Sequence, residues 1–561
     1  MFPLLDIQHL QVSFNQDGTV SHAVKDSSFT LPRGKMTAIV GESGSGKSVT
    51  ALSLLKLLPV QAHISGNIFF SPDGARQFDI NALNSRKMQD VRGNAIAMIF
   101  QEPMTSLNPV YTCGEQVMET IIRHKKVSRK IAREQTLALF ELVALPNPAA
   151  MLTRYPHQIS GGQKQRVMMA IAMSCDPDLL IADEPTTALD VRVQKNILQL
   201  IRNLQEKRGM SVLLITHDLA LVSDFADNVI VMYKGEIVET GETKKVLGSP
   251  RHPYTKALLA CRPAGNTKEW RLPVISDFIP AKENPYQPVP ASRTQPNENN
   301  VVLSVENLSV HFPERKNIFG KTISVYKAVD DVSFNVFQNE TLGLVGESGC
   351  GKTTLGRAIL HLVKPTSGRI LLEGKDIARL DEKSLRLIRK ELQIVFQDPY
   401  GSLNPRISIG EAILEPLTVH GLLENKNQRR EKVVELLEKV NLSADHFSRY
   451  PHQFSGGQRQ RICIARALAL TPSFLVFDES VSALDVSVQA QVLNLINDLK
   501  ADLNFTAIFI SHDLSVVHYI SDRILVMNKG RIVESGSADG IYLTPKEEYT
   551  KQLIAAIPGR R

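Results

Sequence analysis

Gly41-Glu42-Ser43-Gly44-Ser45-Gly46-Lys47-Ser48 stands directly after the apolar run Thr37-Ala38-Ile39-Val40. The spacing GxxxxGK[ST] behind a short strand reads as a phosphate loop. Its glycines let successive backbone N–H groups curl around phosphate oxygens without a Cβ in the way, and the N-terminus of the helix that follows adds a favourable dipole. On this reading Lys47 pairs with the β- and γ-phosphates and Ser48 offers its hydroxyl to Mg²⁺. The stretch occurs again as Gly346-Glu347-Ser348-Gly349-Cys350-Gly351-Lys352-Thr353, behind Thr341-Leu342-Gly343-Leu344-Val345. Lys352 and Thr353 take the same roles there.

Other stretches repeat with it. Tyr155-Pro156-His157-Gln158 and Ser160-Gly161-Gly162-Gln163 return as Tyr450-Pro451-His452-Gln453 and Ser455-Gly456-Gly457-Gln458. A period of about 300 residues is far longer than any solenoid repeat and indicates a duplicated domain. Between the copies, residues 262–300 are rich in Pro, Asn and Gln and read as a linker laid over the surface. The expected organisation is therefore a first domain over 1–261, a linker over 262–300 and a second domain over 301–561, opening with the alternation Val302, Ser304, Val305, Leu308. Each copy alternates strands with helices, as a mostly parallel α/β core requires. Residues 229–238 and 524–533 read as hairpins turning at Lys234-Gly235 and Lys529-Gly530.

A second chemical motif ends an apolar run in two acids: Leu179-Leu180-Ile181-Ala182-Asp183-Glu184, repeated as Phe474-Leu475-Val476-Phe477-Asp478-Glu479. This reads as a buried strand whose tip reaches the site. The first acid, Asp183 or Asp478, is placed for the Mg²⁺ shell, and the second, Glu184 or Glu479, to polarise an attacking water. Taken alone, the acids also suit a cap on the next helix.

The order phosphate loop, Gln, Ser-Gly-Gly-Gln, Asp-Glu, Ala-Leu-Asp, His resembles that of the ATP-binding-cassette ATPases, twice over. The resemblance implies an α/β protein of two P-loop NTPase domains in tandem, each with a RecA-like core, an antiparallel β subdomain and a helical subdomain. It implies ATP and Mg²⁺ as cofactors. Gln101 and Gln397 resemble the family's Q-loop glutamine, which touches Mg²⁺ and senses a membrane partner. Ala188-Leu189-Asp190 and Ala483-Leu484-Asp485 resemble its D-loop, and His217 and His512 its switch histidine. Ser160, Gly161, Gly162 and Gln163, with Ser455, Gly456, Gly457 and Gln458, resemble the signature motif. In the family that motif caps the γ-phosphate of the opposite domain, so Lys47 is expected to share its ATP with Ser455 and Gly457, and Lys352 with Ser160 and Gly162. Phe14 and Phe312 resemble the aromatics that stack on adenine. A plain core role suits them equally, and Tyr326 competes with Phe312.

Ser106-Leu107-Asn108-Pro109 and Ser402-Leu403-Asn404-Pro405, a few residues after the two glutamines, resemble the bacterial dipeptide, oligopeptide and nickel importers. Arg251-His252-Pro253-Tyr254-Thr255 is a further hallmark of that branch; the second copy keeps only Tyr549-Thr550 of it. Nearly the whole chain resembles the fused peptide-importer ATPases, those for glutathione included. Such a subunit is expected at the cytoplasmic face of the bacterial inner membrane, peripheral, held by two transmembrane permease subunits and served by an extracytoplasmic solute-binding protein. Residues 114–124, with apolar Val117, Ile121 and Ile122, are expected to help a permease helix dock, although filling the core of the helical subdomain suits any one of these side chains equally. Ser480-Val481 replaces the Pro185-Thr186 that follows the first Asp-Glu pair, yet both carboxylates remain, so both sites are expected to hydrolyse ATP.

Composition narrows the rivals. The chain has 561 residues, 43% hydrophobic and 22% charged, which excludes collagen, wholesale disorder and a disulfide scaffold. Its five cysteines form no CxxC pair, which speaks against a zinc or iron–sulfur site. No secretory signal opens the sequence, and its apolar runs are too short to span a bilayer. The net charge of +7 suits an anionic surface, but no Arg-rich motif selects nucleic acid, and no nucleic-acid partner is expected. Two alternatives stay in view: an ATPase of a nickel or metal-chelate importer, and a tandem cassette protein without a membrane partner, such as a translation factor. The latter typically joins its domains by a long charged helix, which the Pro/Asn-rich segment does not resemble.

Overall fold

The runs that feed the phosphate loops form strands buried on both faces, as a parallel sheet requires. Met36–Val40 and Thr341–Val345 are buried at every residue. This computed structural model describes residues 1–16, 19–101, 106–186, 190–263, 271–279, 297–316 and 322–557. Ala188 and Leu189 of the first D-loop lie outside the described residues, as do residues 102–105 after Gln101 and residues 264–270 and 280–296 of the expected linker.

Each half carries two sheets in the same arrangement. In the first half, a six-stranded sheet runs in the order Glu236–Glu242, Asn228–Tyr233, Met36–Val40, Ser211–Thr216, Leu179–Asp183, Ile96–Ile99. All its neighbours are parallel except the closing hairpin. A four-stranded antiparallel sheet, in the order Thr19–Leu31, Leu5–Gln16, Ala62–Phe70, Phe78–Asp79, packs beside it. The second half repeats both orders, with Thr341–Val345 between Thr506–Ser511 and Arg523–Asn528. The hairpins turn where the sequence places them: Lys234 and Gly235 have φ of 49° and 82°, Lys529 and Gly530 of 45° and 82°. Two successive left-handed residues make the turn whose twist suits a tight hairpin.

Between the strands ending at Ile99 and Asp183 the chain makes a helical layer: Cys113–Lys125, Arg129–Leu142 and Gly161–Ala172. The second half matches it with Ile409–Val419, Lys426–Lys439 and Gly456–Leu468. Capping boxes start four of these helices, at Thr112/Glu115, Ser160/Gln163, Ser408/Glu411 and Ser455/Gln458. Val117 and Ile121 are fully buried in this layer and belong to its core, whereas Ile122 is exposed. Among the described residues no helix is long and apolar enough to cross a membrane.

The halves touch. Residues 271–279, within the segment whose composition reads as a surface linker, bury Leu272 and Ile275. There the side-chain amide of Asn494, on the second half's helix Val486–Leu503, pairs with the Leu272 backbone in both directions: Leu272 N–H donates to Asn494 Oδ1 (2.8 Å), and Asn494 Nδ2 donates to Leu272 C=O (2.8 Å). Apolar side chains of the linker segment can leave water because these polar groups are paired.

Candidate functional site

The parallel strands end at one edge, where loops of an open α/β sheet gather a site. The phosphate loop of each half follows the central strand and turns into a helix, Lys47–Leu54 or Lys352–Ile359. Gly46 sits at φ 102° as the helix N-cap, and a Cβ there would lie 2.6 Å from Ala23 C=O, so only glycine fits. Gly351 is in the same position against Ala328 C=O.

Lys47 and Lys352 are almost completely buried. Lys47 Nζ donates to the carbonyls of Gly41 (2.8 Å) and Glu42 (2.7 Å). Lys352 Nζ donates to those of Gly346 (2.8 Å) and Glu347 (3.0 Å). Burial pulls the Lys47 ammonium below its usual range, against the nearby Glu184, Asp485 and Asp183 charges. Ser48 Oγ donates to Asp183 Oδ1 (3.0 Å), and Thr353 Oγ1 to Asp478 Oδ1 (2.9 Å). Burial raises the Asp183 carboxyl to about 6 and also raises Asp478.

The second acid of each pair stands in strained backbone, with φ of 45° at Glu184 and 47° at Glu479. A left-handed non-glycine residue costs of order 1–3 kcal/mol and is met at functional sites. Each of these carboxylates is held twice. Gln101 Nε2 donates to Glu184 Oε2 (3.1 Å), with His217 Nδ1 3.4 Å from Oε1. Gln397 Nε2 donates to Glu479 Oε2 (2.8 Å), with His512 Nδ1 3.5 Å from the same oxygen. Burial pushes the Glu479 carboxyl up, but the His512 hydrogen bond and charge, with Lys352, outweigh it and leave it lowered. Burial likewise disfavours a charged His217, and its hydrogen bond to Glu184 reverses that, raising it.

The structure thus brings the glutamine, both acids, the histidine and the phosphate-loop lysine of each half together, from positions scattered along its sequence. The signature residues stand at the starts of Gly161–Ala172 and Gly456–Leu468, with Ser160, Gly161 and Ser455 exposed and Gly457 buried. There Gln163 Oε1 accepts from Ser160 N–H (3.1 Å) and Gln458 Oε1 from Ser455 N–H (3.1 Å), so each glutamine side chain caps its own helix. Phe14 is partly buried against the core and lies opposite Ser21. Phe312 is exposed and lies opposite Tyr326, whose hydroxyl donates to Gly349 C=O in the second phosphate loop (3.0 Å).

The loops also meet the opposite half. Ser43 N–H donates to Asp485 Oδ2 (3.1 Å), and Ser487 Oγ donates to the Glu42 carboxylate. Reciprocally, Arg192 Nη1 pairs with Glu347 Oε1 (2.8 Å). A cavity of about 130 Å³ between the halves is lined by Ser43, Gln101, Glu184 and His217 from one and by Asp485 and His512 from the other. Sequence reading missed one pair of contacts altogether. Glu42 N–H donates to the Tyr254 hydroxyl (2.9 Å), and Glu347 N–H to the Tyr549 hydroxyl (3.1 Å). The recurrence of Tyr-Thr near both domain ends was the available signal. The His-Pro half of that hallmark acts locally, since His252 Nδ1 accepts from Tyr254 N–H (3.1 Å) at a helix start. The second copy lacks that cap but keeps the other anchor of the helix start: Glu534 accepts from the N–H groups of Lys546 and Glu547, as Glu239 does from Arg251 and His252.

Comparison with known proteins adds the following. Residues 24–187 and 329–482 match the family described as ABC transporter, and residues 238–286 match the oligopeptide/dipeptide transporter C-terminal region. The chain is 47% identical over 562 aligned positions to the glutathione import ATP-binding protein GsiA of Escherichia coli (strain K12), covering 99% of this chain and 89% of the relative. The protein of the same name from Shigella boydii gives the same figures. Among solved structures, a dimeric post-hydrolysis state of the ATP-binding cassette MJ0796 bound to ADP and Pi is 26% identical, covers 42% of this chain and 98% of its own, and has a TM-score of 0.38.

Proposed function

The chain belongs to the ABC transporter family, two ATP-hydrolysing cassettes in one polypeptide, and from that premise we propose that it powers import of a small peptide, glutathione included. The observation that carries this reading is the 47% identity, over 99% of the chain, to a glutathione import ATP-binding protein, joined to a match with the oligopeptide/dipeptide C-terminal region. We assign residues 1–261 and 301–561 to the two cassettes and 262–300 to their connection.

Glu184 and Glu479 are the groups that take a proton from the attacking water. Gln101 and Gln397 orient those carboxylates; His217 holds the other oxygen of Glu184, His512 shares with Gln397 one oxygen of Glu479, and both histidines reach the γ-phosphate. Lys47 and Lys352 neutralise phosphate charge. The donor set beside each loop is all oxygen, a hydroxyl hydrogen-bonded to a carboxylate (Ser48 with Asp183, Thr353 with Asp478), which fits Mg²⁺ bound by one or two protein oxygens together with phosphate. The side-chain amide oxygens of Gln101 and Gln397 would complete that shell. Mg²⁺ supplies charge neutralisation at the transferring phosphate. Phe14 and Phe312 flank the adenine. The reciprocal contacts of Ser43 with Asp485 and of Arg192 with Glu347 support a head-to-tail pairing, in which ATP held by Lys47 is closed by Ser455 and Gly457, and ATP held by Lys352 by Ser160 and Gly162.

A groove of about 370 Å³ in the second half supports attachment to a membrane partner. Leu362, Phe396 and Val419 are exposed along it beside Pro416 and Cys463, and Phe396 directly precedes Gln397. An apolar groove of that kind receives a short amphipathic helix, here one from a permease subunit, with a second permease subunit expected at the first half. Such a partner would hold the chain at the inner face of the bacterial membrane, with an extracytoplasmic binding protein delivering the solute. The test is uptake by proteoliposomes containing the chain, its permease pair and its binding protein. ATP-dependent accumulation of labelled glutathione or a dipeptide is expected. Accumulation of a nickel chelate alone, or of nothing, would contradict the reading.

A further inference from the structure

The two tyrosine contacts fall on a particular peptide unit. The N–H of Glu42 and the C=O of Gly41 belong to one planar amide. Its N–H donates to Tyr254 Oη (2.9 Å), and its carbonyl receives Lys47 Nζ (2.8 Å). In the second half the Gly346–Glu347 amide is gripped in the same way, by Tyr549 Oη (3.1 Å) and Lys352 Nζ (2.8 Å). Because the amide is rigid, fixing its N–H fixes the direction of the carbonyl on which the ammonium rests. Each tyrosine therefore acts on the phosphate-binding lysine through a single peptide plane. We propose that Tyr254 and Tyr549 are positioning residues for nucleotide binding, through which the C-terminal segment of each cassette sets the orientation of its own phosphate loop and lysine.

Three observations separate this from helix packing alone. The geometry appears twice in one chain, although the preceding residues have changed from His252-Pro253 to Glu547-Glu548. Both helices that carry the tyrosines, Pro253–Ala260 and Glu548–Ala555, are pinned at their starts to the sheet hairpin by Glu239 and Glu534, so the hydroxyls are presented from a fixed base. Tyr254 is fully buried against Tyr233, with ring centroids 4.2 Å apart, so its hydroxyl cannot turn to water for an alternative partner. Burial also drives the Tyr254 phenol far above its usual range and Tyr549 to about 12, so both remain neutral hydroxyls under all working conditions.

The inference rests on the two loops being nucleotide sites, which saturable binding of a fluorescent ATP analogue by the unaltered full chain tests first. The brace is then tested by Tyr254→Phe, Tyr549→Phe and the double variant, with His252→Ala as a control that weakens only the helix start. Losing the acceptor for one N–H should cost roughly five- to tenfold in affinity at the matching site. The KM for ATP should rise with kcat within about twofold, since ground and transition states use the same loop. Affinity for adenosine, which has no phosphate, should not move, and His252→Ala should leave ATP affinity intact. Unchanged ATP affinity in both phenylalanine variants would overturn the proposal. So would equal losses for ATP and adenosine, or a loss in His252→Ala matching that in Tyr254→Phe, because helix stability would then account for the effect.

Discussion

The helices Val191–Arg208 and Val486–Leu503 hold the same place in their halves, each following an Asp-Glu strand and each N-capped by an aspartate, Asp190 or Asp485. Their surfaces differ. The first buries one stripe, Ile197, Leu198, Ile201, Leu204 and Gln205. The second buries Val492, Leu493, Ile496 and Leu499 on the same face and also Ser487, Ala490, Asn494, Leu495 and Asn497. Where the first helix exposes Gln199, whose amide donates to Asn203 on its own helix (2.9 Å), the second has Asn494, locked to Leu272. A duplicated domain keeps its catalytic edge and diverges where the connectivity is asymmetric. Chain that follows the first copy reaches its twin at Leu272, and the receiving helix has a buried amide to match. The interface shows the same divergence at the start of each helix, with Arg192 paired to Glu347 on one side and Ser487 bonded to Glu42 on the other.

The largest effect expected is one the two halves share. Glu184→Gln with Glu479→Gln keeps both side-chain shapes and removes both carboxylates, so ATP turnover of the assembled transporter should fall about a hundredfold or more while ATP binding persists. A difference between the two single variants would measure how far the halves have drifted. Next in size, Ser455→Arg places a bulky cation at a helix N-terminus expected to meet phosphate. It should silence turnover of ATP held by Lys47, in the other half of the chain, and spare ATP held by Lys352. Single-turnover assays in Lys47→Ala and Lys352→Ala backgrounds distinguish the two sites.

The strap separates the helices more gently. Asn494→Ala leaves the Leu272 N–H and C=O buried without partners, at a cost of roughly 2–4 kcal/mol, whereas Gln199→Ala should stay within about 0.5 kcal/mol. Thermal unfolding of the two variants checks this, and equal shifts would remove the asymmetry from the account. Smallest is a chemical difference between the phosphate loops, Ser45 in one and Cys350 in the other. Cys350 is buried and its thiol is pushed up, chiefly by burial, so the thiolate fraction is small at pH 8. Iodoacetamide should modify it about tenfold or more slowly than a free thiol in the folded chain, and at the ordinary rate after unfolding. Rapid labelling of folded protein would show an open loop.

Much of this was legible in the sequence because its signals are local. The strand-fed glycine loops, the hairpin turns at Lys234-Gly235 and Lys529-Gly530 and the apolar runs ending in Asp-Glu each specify backbone within a few residues. The Ser-x-x-Gln of the signature is also a readable capping box, a signal masked because the resemblance supplies another role for Gln163 and Gln458. What the sequence hid depends on distant partners. Tyr254 is far from Glu42 in the chain, and a tyrosine at a helix start gives no sign of which amide its hydroxyl will meet. The Pro/Asn-rich composition around Leu272 suggests a surface linker, and only the buried Asn494 on a remote helix turns part of it into a strap.

The central claim is that the two halves close on ATP head to tail, each phosphate loop against the other's signature helix. The most direct measurement is disulfide trapping in the full chain with ATP bound, comparing Ser43→Cys with Ser455→Cys against Ser348→Cys with Ser455→Cys. Efficient cross-linking of the first pair, dependent on ATP, is the result predicted. Cross-linking of the second pair in its place would contradict the arrangement.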